Sequence, residues 1–161
     1  MTPEQLATLK AAILAETDQA FVALRAANDE TGMAAWYNAA STFVVWRTSV
    51  SQDEIMQNGF DWAQVDNLNV GKARIWEWLF DNGSRTINPT KANVRAGIAE
   101  CWKGTSQMLA VQAAVLAHCK RLCTRAERLF ATGTGTDTTP GLPGSFEGDV
   151  TPQNIADALR A

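Results

Sequence analysis

TSQMLAVQAAVLAHCKRLCTRAERLFA, residues 105–131, is the longest periodic segment of the chain. Met108, Val111, Val115, Leu116, Cys119, Leu122, Cys123, Ala126, Leu129 and Phe130 recur at steps of three and four. That spacing places them on one helical face. Thr105 or Ser106 supplies the N-cap, and the pattern continues to about Ala131. Some 26 residues at 1.5 Å each give roughly 39 Å, long enough to be the spine of a bundle. The expected fold is therefore all-α, a helical bundle built round this one long helix.

The flanking segments agree with a bundle. Thr2, Pro3 and Gln5 form a capping box with proline at the first helical position, and Leu6, Leu9 and Ile13 give the stripe that follows. Thr17 or Asp18 caps a continuation with Phe21 and Leu24. Met33, Trp36, Tyr37 and Ala40 follow at helical spacing. Ser51 and Glu54 form a second capping box, with the helix stopping at Asn58-Gly59. Phe60, Trp62, Val65 and Leu68 are expected to pack on the core. Val70 to Asn82 reads as a helix through the pairs Ile75/Leu79 and Trp76/Phe80, with Trp78 off the stripe. Asn88-Pro89 starts the next helix, whose face is Val94, Ile98, Cys101 and Trp102. One stretch breaks the pattern. Residues 43–50, FVVWRTSV, have strand composition and no partner of like character, so they read as an extended linker, the favoured expectation, or as an edge strand added to another chain.

After Ala131 the composition changes. Residues 132–145 are Gly, Thr, Pro, Asp, Ser and one Leu, which bury too little to offset the entropy of their own ordering. An isolated Phe146 follows, and then Thr151-Pro152, another helix start, with Ile155 and Leu159 one turn apart. The expected organisation is a helical bundle domain over 1–131 and a flexible Gly/Thr/Pro-rich arm over 132–161. Phe146, Ile155 and Leu159 are its candidate partner-binding anchors.

The 161 residues fit one domain, and no run of 18 or more apolar residues exists, so no membrane span is expected. The N-terminus lacks a basic region followed by an apolar stretch and does not read as a secretory signal. Three cysteines without framework spacing suit a reducing site of synthesis. Net charge is −3, unevenly spread: residues 1–66 carry −6, residues 67–131 carry +6 and residues 132–161 carry −3. Lys120, Arg121, Arg125 and Arg128 crowd the end of the segment quoted first. Four bases in a net-acidic chain are a weak nucleic-acid footprint, and any DNA contact is at most non-specific. An acidic protein partner fits better, for which the N-terminal segment of a neighbouring copy would serve.

No catalytic, cofactor or metal site emerges. Cys119 and Cys123 sit four apart, but His118 points about 100° from Cys119 and no Cys-x-x-Cys pair exists. A nucleophile at Cys101 or Cys119 has only His118 for an imidazole base, and the two must meet within hydrogen-bond reach. Asp53, Glu54, Asp61 and Asp66 form a cluster, yet Asp53 and Glu54 are first-turn acids of a capped helix. Asn69-Val70-Gly71-Lys72 lacks the first glycine and the Ser/Thr of a phosphate loop.

The strings WAQVDNLNVGKARIW (62–76) and RTINPTKANVRAGI (85–98), with the ATGTG junction at 131–135, resemble small proteins encoded by tailed bacteriophages and prophages. The plan of bundle plus arm is similar to head-to-tail connector (adaptor) proteins. The resemblance implies a virion structural protein of the neck, made in the host cytoplasm. Copies would form a homo-oligomeric ring that docks on the portal protein through the C-terminal arm and presents a surface to tail or neck proteins. The alternative is a phage binding module outside the virion, such as a tail-assembly chaperone or host-factor regulator.

Overall fold

The computed structural model describes residues 1–57 and 59–161. The described elements run α1 (Pro3–Ala15), α2 (Gln19–Ala26), α3 (Glu30–Asn38), β1 (Ala40–Trp46), β2 (Val50–Ser51) and α4 (Gln52–Gln57). A 3-10 helix (Trp62–Asn67) leads to α5 (Val70–Phe80), β3 (Thr86–Ile87), α6 (Ala92–Cys101) and α7 (Ser106–His118). The chain ends with β4 (Lys120–Thr124), α8 (Arg125–Arg128) and α9 (Pro152–Arg160). About 55% of the chain is helical, and the four strands form two small antiparallel sheets, β1 with β4 and β2 with β3. The fold is thus mixed, which corrects the expectation of an all-α bundle round one long helix.

The correction turns on residues 105–131. The helix capped by Thr105 stops at His118, and β4 replaces its expected continuation. A new helix then starts at a capping box, in which the Thr124 hydroxyl accepts the Glu127 N–H and the Glu127 carboxylate accepts the Thr124 N–H. Residues 120–124 leave the helix because β1 needs a ladder partner, and unpaired strand backbone is costly. The expectation that residues 43–50 form a linker falls for the same reason. Phe43 and Val45 lie on one face of β1 and are buried with Cys123. The Val44 N–H donates to Gly135 O at 2.8 Å, and the Gly141 N–H donates to Val44 O at 2.8 Å. Backbone groups of the same chain thus serve β1 in addition to β4.

Local signals elsewhere behave as the sequence predicts. Thr2 and Gln5 close their capping box, and Asp18 caps α2. Ser51 Oγ accepts the Glu54 N–H at 3.1 Å. The predicted stop falls partly on Asn58, outside the described residues, while Gly59 takes a φ of +72°. The Asn88-Pro89 start is early: Asn88 Oδ1 accepts the Thr90 N–H at 3.0 Å, and α6 begins at Ala92.

The chain divides into two compact units, Met1–Val45 with Leu122–Ala161, and Trp46–Arg121. In the first, Leu9, Ile13, Phe21, Met33, Tyr37, Ala126 and Ile155 share a core. In the second, the core is aromatic. Trp102 meets Trp76 at 5.3 Å and Phe60 at 5.4 Å, both edge-on, and Trp76 meets Phe80 at 5.1 Å.

Residues 132–161, read from composition as a flexible arm, belong to the first unit. Thr132 and Leu142 exchange backbone hydrogen bonds at 3.0 and 2.9 Å. The Gln5 side chain donates to Ser145 O at 2.7 Å, and the Gly148 N–H donates to Glu127 Oε1 at 3.1 Å. Asn38 holds both the N–H and the C=O of Val150, at 2.8 and 2.9 Å. Residues 132–151 therefore form a strap sewn to the body by hydrogen bonds, with Phe146 and the buried Val150 packed on the core near its end. The helix α9 then packs on α1 and α3. Gly135 has a φ of +67°, and a Cβ there would meet the Phe43 ring at 2.1 Å, so only glycine lets the strap pass this close to β1.

Candidate binding site

The best-formed cavity of the first unit holds about 390 Å³. Trp36 and Tyr37 of α3 form one wall, with Ala12 and Glu16 from the end of α1. Ala40, Ser41 and Thr42 open β1 along another side, and Arg125, Arg128 and Leu129 close it from α8. The α8 capping box fixes where the two arginines emerge. Both lie over aromatic faces: the Arg125 guanidinium is 3.6 Å from the Trp36 ring centroid, and that of Arg128 is 4.9 Å from Phe43. Burial, with the Glu16 carboxylate nearby, pushes the Tyr37 phenol up to about 12, so it remains protonated. Glu16 Oε1 already accepts the N–H groups of Thr17 at 2.9 Å and Asp18 at 3.0 Å. Ser41 donates to Cys123 O at 2.8 Å. The buried Trp36 Nε1–H has no acceptor among the described residues.

Of the bases singled out in the sequence, Arg125 and Arg128 meet at this cavity, while Lys120 and Arg121 lie in β4, in the other unit. The three candidate anchors all turn toward their own unit. Ile155 is fully buried, Leu159 is half-buried, and Phe146 packs on Phe130 at 5.7 Å. Sequence reasoning missed Glu16, Trp36 and Tyr37 as site residues. Their helices were legible, but nothing local shows that α8 comes to lie opposite them. The signal that was available is the Thr124-x-x-Glu127 capping box, which marks a helix start where the periodicity suggested a helix interior.

The other candidates resolve individually. Among the described residues no group of three His, Cys, Asp or Glu is placed to hold a metal. Glu54 makes a two-pronged ion pair with Arg47 through Oε1–Nη1 and Oε2–Nη2, and the hydrogen-bonding guanidinium lowers its pKa below the usual glutamate range. Asp61 accepts the Ala63 N–H as the cap of the 3-10 helix. Cys101 and Cys119 are completely buried, and desolvation pushes their thiols up to about 11 and about 12. A thiol needs its thiolate to act as a nucleophile. Both are therefore expected to react with Ellman's reagent at pH 8 roughly a hundredfold or more slowly in the folded protein than in urea. Equal rates in the two states would mean that these thiols are not held neutral in the core.

Two tryptophans are open to solvent: Trp62, expected to pack on the core, and Trp78, off the stripe of its helix. Trp62 is 58% exposed and Trp78 is 68% exposed. Trp78 borders a depression of about 450 Å³ with Gln52, Glu77 and Arg85. No described helix is long and apolar enough to cross a membrane. Compared with known proteins, the chain matches no family model, no curated protein and no solved structure.

Proposed function

We propose that the chain is a virion structural protein of the phage neck, a ring subunit of the head-to-tail connector class. The observation that carries this reading is the pair of exposed tryptophans, Trp62 and Trp78, in the unit Trp46–Arg121. Tryptophan is enriched at interface hot spots, and solvent-exposed rings of this size are costly without a partner. Charge supports the same reading. The first unit carries ten acids and five bases, net −5, and the second carries seven acids and nine bases, net +2. Opposed signs suit head-to-tail contacts between copies, where one unit meets the other unit of a neighbour. In this reading the strap meets the portal through its outward residues, Leu142 among them, because Ile155 is spent on its own core.

The test has two arms. Mass spectrometry of purified particles is expected to find the chain, and its absence would favour the binding module outside the virion. Trp78→Ser is expected to leave the subunit's own stability within about 0.5 kcal/mol, and Trp62→Ser, whose ring also meets Phe60 edge-on at 5.0 Å, to cost it no more than about 1.5 kcal/mol. The same changes should weaken self-association or portal binding by about 2 kcal/mol, roughly thirtyfold, for a hot-spot residue. Light scattering that shows the same assembly for wild type and both variants would overturn the reading.

A further inference from the structure

The polar groups round the cavity of the first unit are unbalanced. Two guanidiniums line it from α8, that of Arg125 3.6 Å from the Trp36 ring centroid and that of Arg128 4.9 Å from the Phe43 ring centroid. A guanidinium carries five N–H donors in a planar fork that matches a carboxylate. On the acceptor side stands Glu16, one of whose oxygens already serves two backbone N–H groups. Among the charged groups that line the cavity, two guanidiniums face one carboxylate, which suits an anionic ligand.

We propose that this cavity binds a carboxylate carried on an apolar or aromatic group. Charge selects the carboxylate. Arg125 and Arg128 give +2 and Glu16 gives −1, so the site matches a monoanion, and Glu16 opposes a phosphate dianion. Size and lining select the remainder of the ligand. About 390 Å³ is more room than a carboxylate fills and lies within the range of small-molecule sites. The Trp36 and Tyr37 rings with Leu129 and Ala12 offer apolar surface to the ligand's body. The carboxylate would bridge the N–H donors of the two guanidiniums. This assignment does not depend on the neck reading.

Benzoate is the probe, with benzyl alcohol and inorganic phosphate as the comparison arms. The readout is the indole N–H cross-peak of Trp36 in a ¹H–¹⁵N spectrum, assigned by its loss in Trp36→Phe. Benzoate is expected to move that peak saturably, and the neutral alcohol and phosphate to move it far less. Arg125→Gln and Arg128→Gln should each weaken benzoate by about tenfold, the loss of a charge-assisted pair. Arg125→Lys should not restore it, since an ammonium lacks the fork. The other indole peaks report folding, and if Arg125→Gln disturbs them, Arg128→Gln decides. No saturable shift with benzoate, an equal shift with phosphate, or full binding in Arg128→Gln would each overturn the proposal.

Discussion

Trp102→Ala is expected to destabilise the unit Trp46–Arg121 by about 3–5 kcal/mol, the range for truncating a large buried aromatic. Trp102 is fully buried and sits edge-on to both Phe60 and Trp76. Its removal takes away two ring contacts as well as the transfer energy of an indole, and it leaves a cavity that its neighbours cannot fill without leaving their rotamers. Such a loss is a large fraction of the roughly 5–15 kcal/mol that holds a typical domain together. Hydrogen exchange should show α5, α6 and α7 losing protection ahead of α1 and α9. Trp102→Phe should be much milder. It retains an aromatic ring and removes an indole N–H that has no acceptor among the described residues. Equal losses for the two variants would show that ring packing is not what Trp102 supplies.

The second large effect is expected at the strap. A Cβ on Gly144 would lie 1.9 Å from Phe130 O and 2.5 Å from Phe130 C. Both are backbone atoms, so no side-chain rotation relieves the contact. Gly144→Ala must therefore push the strap off the body, and the bonds from Gln5 to Ser145, Glu127 to Gly148 and Asn38 to Val150 lie just beyond it. A loss of about 3 kcal/mol or more is expected, at or above the upper end for overpacking. Limited proteolysis should cut the variant between residues 132 and 151 under conditions in which the wild type resists. Unchanged melting and unchanged cleavage would show that the strap has room to shift at no cost.

Both predictions concern segments that were unequally legible. The six tryptophans announce aromatic cores or interfaces, yet nothing in the spacing of Trp76, Trp78 and Trp102 says which is which. The structure buries Trp76 and Trp102 and exposes Trp78. The strap misled for a different reason. Its composition holds almost nothing to bury, and apolar burial is what a compositional reading measures. Order there comes largely from hydrogen bonds between its backbone and Gln5, Asn38, Val44 and Glu127, none of them a sequence neighbour of the residue it holds.

Sequence alone determined the helix starts whose hydrogen bonds close within four residues: Thr2 to Gln5, Asp18 to Phe21, Ser51 to Glu54 and Thr151 to Asn154. It also singled out Arg125 and Arg128, because clustered charge is visible in a string of letters. Tertiary structure decided the fate of residues 119–124. Their periodicity suits a helix, but β1 about eighty positions earlier needs a partner, and that need outweighs local preference. The same pairing carries α8 to α3, giving the two arginines Trp36 and Phe43 to lie on and creating the cavity. Periodicity reports only which face a residue occupies within its own helix. What that face meets is set by hydrogen bonds that close across the whole chain.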